Sequence, residues 1–299
     1  MTITYFSELA LFLQSIDLST KTLTVTYNPP DGGQKSLEMS LEPEVAALEP
    51  IDVSLHGSLT EAYKMNDKIN TWFSSCFGYT VMLAYLGSYQ RAVLGNLSPN
   101  AVPQNPPQSQ SWLSSVTASM PNILTNKPRD DVGLTFADCA AYLVVTEESL
   151  RDVSSRLSDG MDMDITKFRP NIVLSGASEA YEEDYWGAIT ISNDSGKEHS
   201  QDSKIILTAN CGRCVSINID YSTGQAAKGE EGTVLKKMMK DRRIDKGNKY
   251  SPIFGRYGFL ESSGVVQTIA VGDGVTVSKV NQERTTFGKP SFGNRDCHC

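Results

Sequence analysis

Short runs of β-branched and apolar residues, each closed by turn-forming residues, recur through the second half of the chain and restrict it to a mainly β architecture. They lie at 171–174, 187–191, 205–208, 215–219, 257–260, 265–271 and 275–280, with one helical interruption at 234–239. A strand at 142–145 precedes them, and Thr146 then caps a helix carrying Leu150, Val153 and Leu157 at helical spacing. Many short strands with turn punctuation predict a closed or nearly closed barrel.

The N-terminal part reads differently. Leu23, Val25 and Tyr27 alternate with threonines, and Leu37, Met39 and Leu41 alternate with polar residues after the turn-rich run Pro29-Pro30-Asp31-Gly32-Gly33, which predicts a hairpin. Ile51, Val53 and Leu55 predict another strand. Asn66 or Asp67 then caps a helix whose Ile69, Trp72, Phe73, Cys76 and Phe77 share one face, and 79–86 reads as a buried strand. Prolines 103, 106, 107, 121 and 128 deny regular structure to a stretch rich in Gln, Asn and Ser. The expected division is an α+β unit over 1–97, a loop or linker over 98–131, a barrel over 132–285 and a tail over 286–299.

The formal net charge of −8 argues against a partner with a phosphate backbone or an anionic membrane surface. Six cysteines in 299 residues are too sparse for a disulfide scaffold, and no basic, apolar leader precedes them, so a reducing compartment is expected. The apolar run 9–13 is far shorter than the ~20 residues needed to cross a bilayer.

The chemistry is concentrated in Asn210-Cys211-Gly212-Arg213-Cys214, followed by Val, Ser, Ile, Asn, Ile and Asp. A thioredoxin-like pair needs its first thiol at a helix N-terminus, whereas the alternation after Cys214 is that of a strand. A zinc site needs a second ligand pair, for which Cys297-His298-Cys299 offers an unusual spacing on the tail. A pair of buried structural thiols is opposed by strand parity, which puts Cys214 with Ser216 and Asn218 and opposite Val215, Ile217 and Ile219. A thiolate beside Arg213, with Gly212 allowing close backbone approach, suits a soft metal whose cofactor carries an anionic phosphate. Residue types alone do not name that metal. His56, His199 and His298 have no recognisable nucleophile motif beside them.

Further segments accompany this motif in a fixed order: Phe136-Ala137-Asp138, Thr146-Glu147-Glu148-Ser149-Leu150, Phe168-Arg169-Pro170-Asn171-Ile172-Val173 and Glu183-Asp184-Tyr185-Trp186. Downstream of it come Asp220-Tyr221-Ser222-Thr223-Gly224, Ser251-Pro252-Ile253-Phe254-Gly255-Arg256-Tyr257 and Val271-Gly272-Asp273. In this series the chain resembles the MOSC family of molybdenum-cofactor proteins, and within it the branch of the mitochondrial amidoxime-reducing component and its fungal relatives. The resemblance implies a MOSC-type β-barrel behind an N-terminally shortened α+β domain. It places the molybdenum ligand on Cys214 and pterin-cofactor contacts on Gly212, Arg213, Arg169, Asn171, Tyr257 and Asp138, with Asn171 supporting its loop. It departs from the family at three points: no upstream lysine loop for the cofactor phosphate, a substitution around Thr4 where an arginine is expected, and Cys139 and Ala140 in place of hydroxyl residues.

What the resemblance implies is a molybdenum-cofactor-dependent oxidoreductase that removes oxygen from N-hydroxylated compounds, of which Cys214 is the catalytic ligand. Its electrons come from a b-type cytochrome and an NADH-dependent reductase, since the chain holds no dinucleotide fingerprint and no haem-attachment motif. A cytoplasmic location, compatible with association with mitochondria, goes with this reading. A cofactor carrier and a cofactor-free family member remain as alternatives.

Overall fold

The computed structural model describes residues 1–99, 133–158, 160–192, 202–261 and 266–288. Most of the expected linker, and His199, Cys297, His298 and Cys299, lie outside these residues.

Strands β1 (Phe12–Asp17), β2 (Thr22–Tyr27) and β3 (Lys35–Ser40) form an antiparallel meander in which Val25, Leu37 and Met39 point to one buried face, as their alternation predicts. Strands β4 (Glu49–Leu55) and β5 (Ser58–Lys64) form a hairpin whose register, Leu55 opposite Ser58, leaves His56-Gly57 as a two-residue turn. Both turn residues have positive φ, 52° and 81°, the requirement of a type I′ turn that matches strand twist. Helix α1 (Asp67–Phe77) follows. The Asn66 side chain accepts from the Ile69 amide at 3.1 Å, and Gly78 closes the helix in the left-handed conformation, so both ends carry the expected caps. Its Ile69 and Cys76 join Phe12, Val25, Leu37 and Met39 in one apolar cluster, and Phe12 stacks on Phe77 at 4.8 Å between ring centroids. The strand expected over 79–86 is confined to β6 (Ala84–Tyr85), while Tyr79 and Met82 are exposed. The Ser74 hydroxyl takes the Val81 amide, so this stretch is held by a side chain instead of a ladder.

Two short strands, β7 (Arg91–Ala92) and β8 (Gly133–Leu134), pair antiparallel and lead to β9 (Tyr142–Thr146) and helix α2 (Glu147–Ser155). The Thr146 hydroxyl caps α2 by accepting from the Ser149 amide at 3.2 Å. Beyond these come β10 (Ile172–Leu174), β11 (Trp186–Ser192), β12 (Ser203–Gly212), the small pair β13 (Ile219–Asp220) and β14 (Gln225–Ala226), helix α3 (Val234–Met238), β15 (Ile253–Leu260) and β16 (Gly274–Val280). Six of these strands build the main sheet in the order β10-β9-β15-β12-β11-β16, with β10 parallel to β9 and every other pair antiparallel.

The sheet curls into a half-barrel, so the chain is mainly β with some helix, as expected. Among the described residues closure is not reached: β10 and β16 are the two ends of the sheet. Both faces are covered. Leu143, Val145, Phe254 and Phe259 pack with Val153, Phe168 and Met238 on one side, and Val144, Ile189, Ile205 and Leu207 pack with Trp186 on the other. Strand β15 is therefore buried along nearly its whole length.

Two further expectations change. The run 215–219 is not a strand. Ladder pairing of β12 stops at Gly212, Val215–Asn218 turns into a 3₁₀ helix, and only Ile219 returns to extended backbone. Residues 266–271 are also not a strand, and Val266 and Val271 are fully or almost fully exposed, so an apolar run here does not mark a buried element.

Candidate functional site

The site is built where β12 leaves the sheet. Two register shifts against β15 fall between Leu207 and Ala209 and between Asn210 and Gly212, and bulges of this kind bend a strand and re-aim the residues beyond it. The bend is held from below by Arg256 of β15, whose fully buried guanidinium donates to Asn210 Oδ1 and the Leu207 carbonyl. At the far end the Arg213 amide donates to the Pro252 carbonyl at 2.8 Å. A Cβ on Gly212 would sit 2.0 Å from Asn248 Nδ2, so the glycine makes room for the 248–251 turn, where a close approach of ligand was expected.

Arg213 turns inward. It is 8 % exposed, and it donates from Nη1 to Cys211 Sγ and from Nη2 to the Phe168 carbonyl, both at 2.9 Å, with its guanidinium 5.4 Å from the Phe168 ring centre. Its Nε is buried without a hydrogen-bond partner among the described residues. Burial opposes the charge, but Cys211, Tyr257 and Cys214 around it outweigh burial and hold the guanidinium protonated.

Cys214 is extended (φ −121°, ψ −174°) and half-buried, and begins the 3₁₀ helix. Its Sγ lies 3.3 Å from Thr4 Oγ1 and 3.2 Å from Ser216 Oγ. The polar setting anticipated for this thiol is therefore real, but its cause is not strand parity. Val215, assigned to the core face, is 44 % exposed, and Ser216 is buried. The hydroxyls come from the helical turn and from the N-terminal segment. Cys211 lies opposite in character: it is buried in the main cluster within β12, and neither cysteine forms a disulfide.

The 3₁₀ helix Ile165–Phe168, capped by Asp164, ends on Arg169 in the left-handed region at φ 54°. The Arg213 contact to the Phe168 carbonyl ties this end to the Cys214 segment. Arg169 is exposed, and its guanidinium has no hydrogen-bond partner among the described residues, while its charge is felt at Tyr221, whose hydroxyl pKa is pushed up by burial. Asn171 exchanges hydrogen bonds with Leu143, its Oδ1 accepting from the Leu143 amide at 2.8 Å and its own amide donating to the Leu143 carbonyl. That exchange fixes where the 169–171 loop joins β9.

Tyr257 on β15 reaches across to Asp138, its hydroxyl donating to Oδ2 at 2.7 Å. Oδ1 of the same carboxylate lies 2.9 Å from His56 Nε2 in the β4–β5 turn and 3.6 Å from Cys139 Sγ. Burial tends to raise the Asp138 pKa. The hydrogen bonds from His56 and Tyr257 and the charges of His56 and Arg213 overcome it and pull the carboxyl down to about 2. Its side chain is still 45 % exposed and so open to a ligand. Arg91 underlies this loop, buried and donating to the carbonyls of Thr135, Ala137 and Asp138.

The structure thus gathers Cys214, Arg213, Arg169, Tyr257 and Asp138 around the end of β12, with Gly212 and Asn171 as backbone supports. Sequence reasoning passed over Arg91, for which nothing local gives a signal, and over His56. A His-Gly pair between two alternating runs marks a tight turn, and that was the available clue to His56.

As a donor set, one half-exposed thiol flanked by two hydroxyls supplies a single soft ligand, so a metal held here takes its remaining ligands from an organic group. The uncommitted Arg169 gives that group's anionic end a counter-charge. The residues fit a metal carried on an anionic cofactor at both ends.

Residues 131–276 match the MOSC domain. The human mitochondrial amidoxime-reducing component 1 is 33 % identical over 153 residues, covering 50 % of this chain and 40 % of that protein. The rat mitochondrial amidoxime reducing component 2 is 28 % identical over 226 residues, 75 % of this chain and 55 % of that protein. A rice molybdenum cofactor sulfurase is 28 % identical over 204 residues, 65 % of this chain and 20 % of that protein. The chain thus spans about half the length, or less, of these relatives. Among the described residues no helix is long and apolar enough to cross a membrane. The resemblance carried by the ordered motifs therefore stands: residues 131–276 match the MOSC domain, and the chain is similar to the mitochondrial amidoxime-reducing components.

Proposed function

We propose that this chain binds a molybdenum cofactor through the thiolate of Cys214 and reduces N-hydroxylated compounds such as amidoximes and hydroxylamines. The observation that carries the reading is the half-exposed Sγ of Cys214, set between two hydroxyls at the end of a bulged strand in a MOSC domain. The names of the relatives, amidoxime-reducing components and a molybdenum cofactor sulfurase, support the cofactor and the direction of chemistry.

When bound, the cofactor supplies the two-electron reduction of the N–O bond. The chain supplies the rest. Cys214 anchors the metal, and Arg169, with its exposed guanidinium, pairs with the pterin phosphate. Arg213 and Phe168 hold these two segments at a fixed distance. Tyr257 and Asp138 line the reacting side, and Gly212 and Asn171 fix the loops that carry the contacts. Electrons arrive from a b-type cytochrome and an NADH-dependent reductase. The same proposal takes 132–285 as the MOSC barrel domain, 1–97 as its α+β companion domain, and a cytoplasmic location compatible with mitochondrial association.

A second reading, a carrier or a cofactor-free member, draws on the commitment of Arg213 to Cys211 and Phe168. Molybdenum analysis and benzamidoxime reduction with the reconstituted partners separate the three. The enzyme holds about one molybdenum and turns over, a carrier holds it without turnover, and a cofactor-free member holds none. In Cys214→Ala both metal and activity are lost; equal activity in that variant rejects the ligand.

A further inference from the structure

We propose that His56, delivered by the N-terminal hairpin, is the proton donor of this site, with Asp138 as its positioning residue and Tyr257 as the partner that holds Asp138. The inference rests on the N-reductive reading above. Reduction of an N-hydroxylated group consumes two electrons and two protons as the N–O bond breaks, giving the amine and water. The electrons come from the NADH-dependent donor chain already named, whereas the protons must pass through a group of the protein or through water.

Geometry and charge select His56 for this task. Asp138 is pulled down to about 2 by His56 and Tyr257, so at neutral pH it is a carboxylate and does not serve as the donor itself. A carboxylate only accepts hydrogen bonds, so the hydrogen in the 2.9 Å contact belongs to His56 Nε2, and that in the 2.7 Å contact belongs to the Tyr257 hydroxyl. An imidazole can both give and regain a proton through its two ring nitrogens, and 19 % of the His56 side chain is accessible for reprotonation from water.

The backbone points the same way. His56 sits at φ 52°, a conformation that costs a non-glycine residue energy and that Asn or Gly adopts more readily in such turns. A residue of ordinary turn type would close the hairpin, but it would not span to Asp138. Charged and titratable groups around the pair come from every adjoining element: Tyr257 from β15, Arg213 after β12, Cys139 from the Asp138 loop, and Arg91 beneath that loop. Among these groups His56 is the imidazole, the side-chain type suited to proton transfer, and it is in direct contact with the half-exposed carboxylate.

Two measurements test this. In the unloaded chain, which has three histidines, the ring proton resonance of His56 is followed through its titration, and Asp138→Asn is expected to lower the midpoint by about one pH unit. In the loaded enzyme, His56→Gln is expected to lower kcat for benzamidoxime roughly 100-fold, with KM and molybdenum content unchanged and with partial recovery on adding free imidazole. The wild-type kcat falls as pH rises through the His56 midpoint, and the variant loses that limb. A midpoint unmoved by Asp138→Asn, wild-type kcat in His56→Gln, or molybdenum lost in parallel with activity overturns the proposal. A wild type that holds molybdenum but never reduces the substrate overturns the functional reading and this inference with it. That failure is recognisable because the Asp138-dependent midpoint is still seen.

Discussion

Arg213 lies between two roles, a tie within the protein and a contact for a cofactor phosphate, and replacing it with methionine separates them. Methionine keeps an unbranched stem, though a shorter one, and it removes the donors to Cys211 Sγ and the Phe168 carbonyl. Charge-assisted hydrogen bonds contribute about 1.5–3 kcal/mol each, the sulfur contact at the low end, and the abandoned Phe168 carbonyl adds about 1–3 kcal/mol of unmet desolvation. Against this, the variant no longer buries a guanidinium whose Nε is unsatisfied, a relief of several kcal/mol. The balance is a loss of about 2 kcal/mol, or a fall in Tm of roughly 5 °C for a chain of this size. Urea unfolding of wild type and Arg213→Met at neutral pH, read at constant m-value, measures it. A variant as stable as the wild type refutes the reasoning. The inward hydrogen bonds would then contribute nothing, and a simultaneous fall in molybdenum content would assign the guanidinium to the cofactor.

Asp138 has a folded pKa near 2 against the ordinary 3.8, so its contribution to stability is fully present above about pH 4 and is lost as pH falls toward 2. Asp138→Asn flattens that part of the stability curve in acid-titrated unfolding, and a curve with the wild-type slope refutes the assignment. Gly212→Ala drives a methyl against Asn248 and the Ser251 side chain, an overpacking expected to cost about 1–3 kcal/mol. Gly212→Ala combined with Asn248→Gly recovers most of that loss in thermal unfolding, and an equal loss in the double variant shows that the clash is not its source.

Elements whose residues carry both a period and a terminator were legible in the sequence. Helix α1 has an apolar stripe between Asn66 and Gly78, and the β2–β3 hairpin alternates on either side of a glycine-rich turn. The segment after Cys214 resembles a strand in sequence because a 3₁₀ turn that buries Ser216 and Ile217 has, over four residues, the same alternation of residue types. Only the bulge at Asn210/Gly212, set by pairing with β15, decides between them, and pairing between distant strands has no local signature. The same limit applies to the site. Cys214, Arg213 and Arg169 stand out in their own segments, but the contact of Tyr257 with Asp138 spans 119 residues, and His56 meets Asp138 only because two separately folded turns converge. The apolar run 265–271 failed for the opposite reason, since residue type alone does not provide a surface to bury against.

The His56-Gly57 turn has no slack, for its two residues are the fewest that join antiparallel strands with this twist. One inserted residue would swing the imidazole away from its carboxylate, and one deleted would unpair the hairpin. The front of the polypeptide is thus indexed to the back like a key cut for one lock. Any chimera that exchanges the two halves between this chain and one of its relatives must carry the turn and the Asp138 loop across together, or the imidazole and its carboxylate will no longer meet.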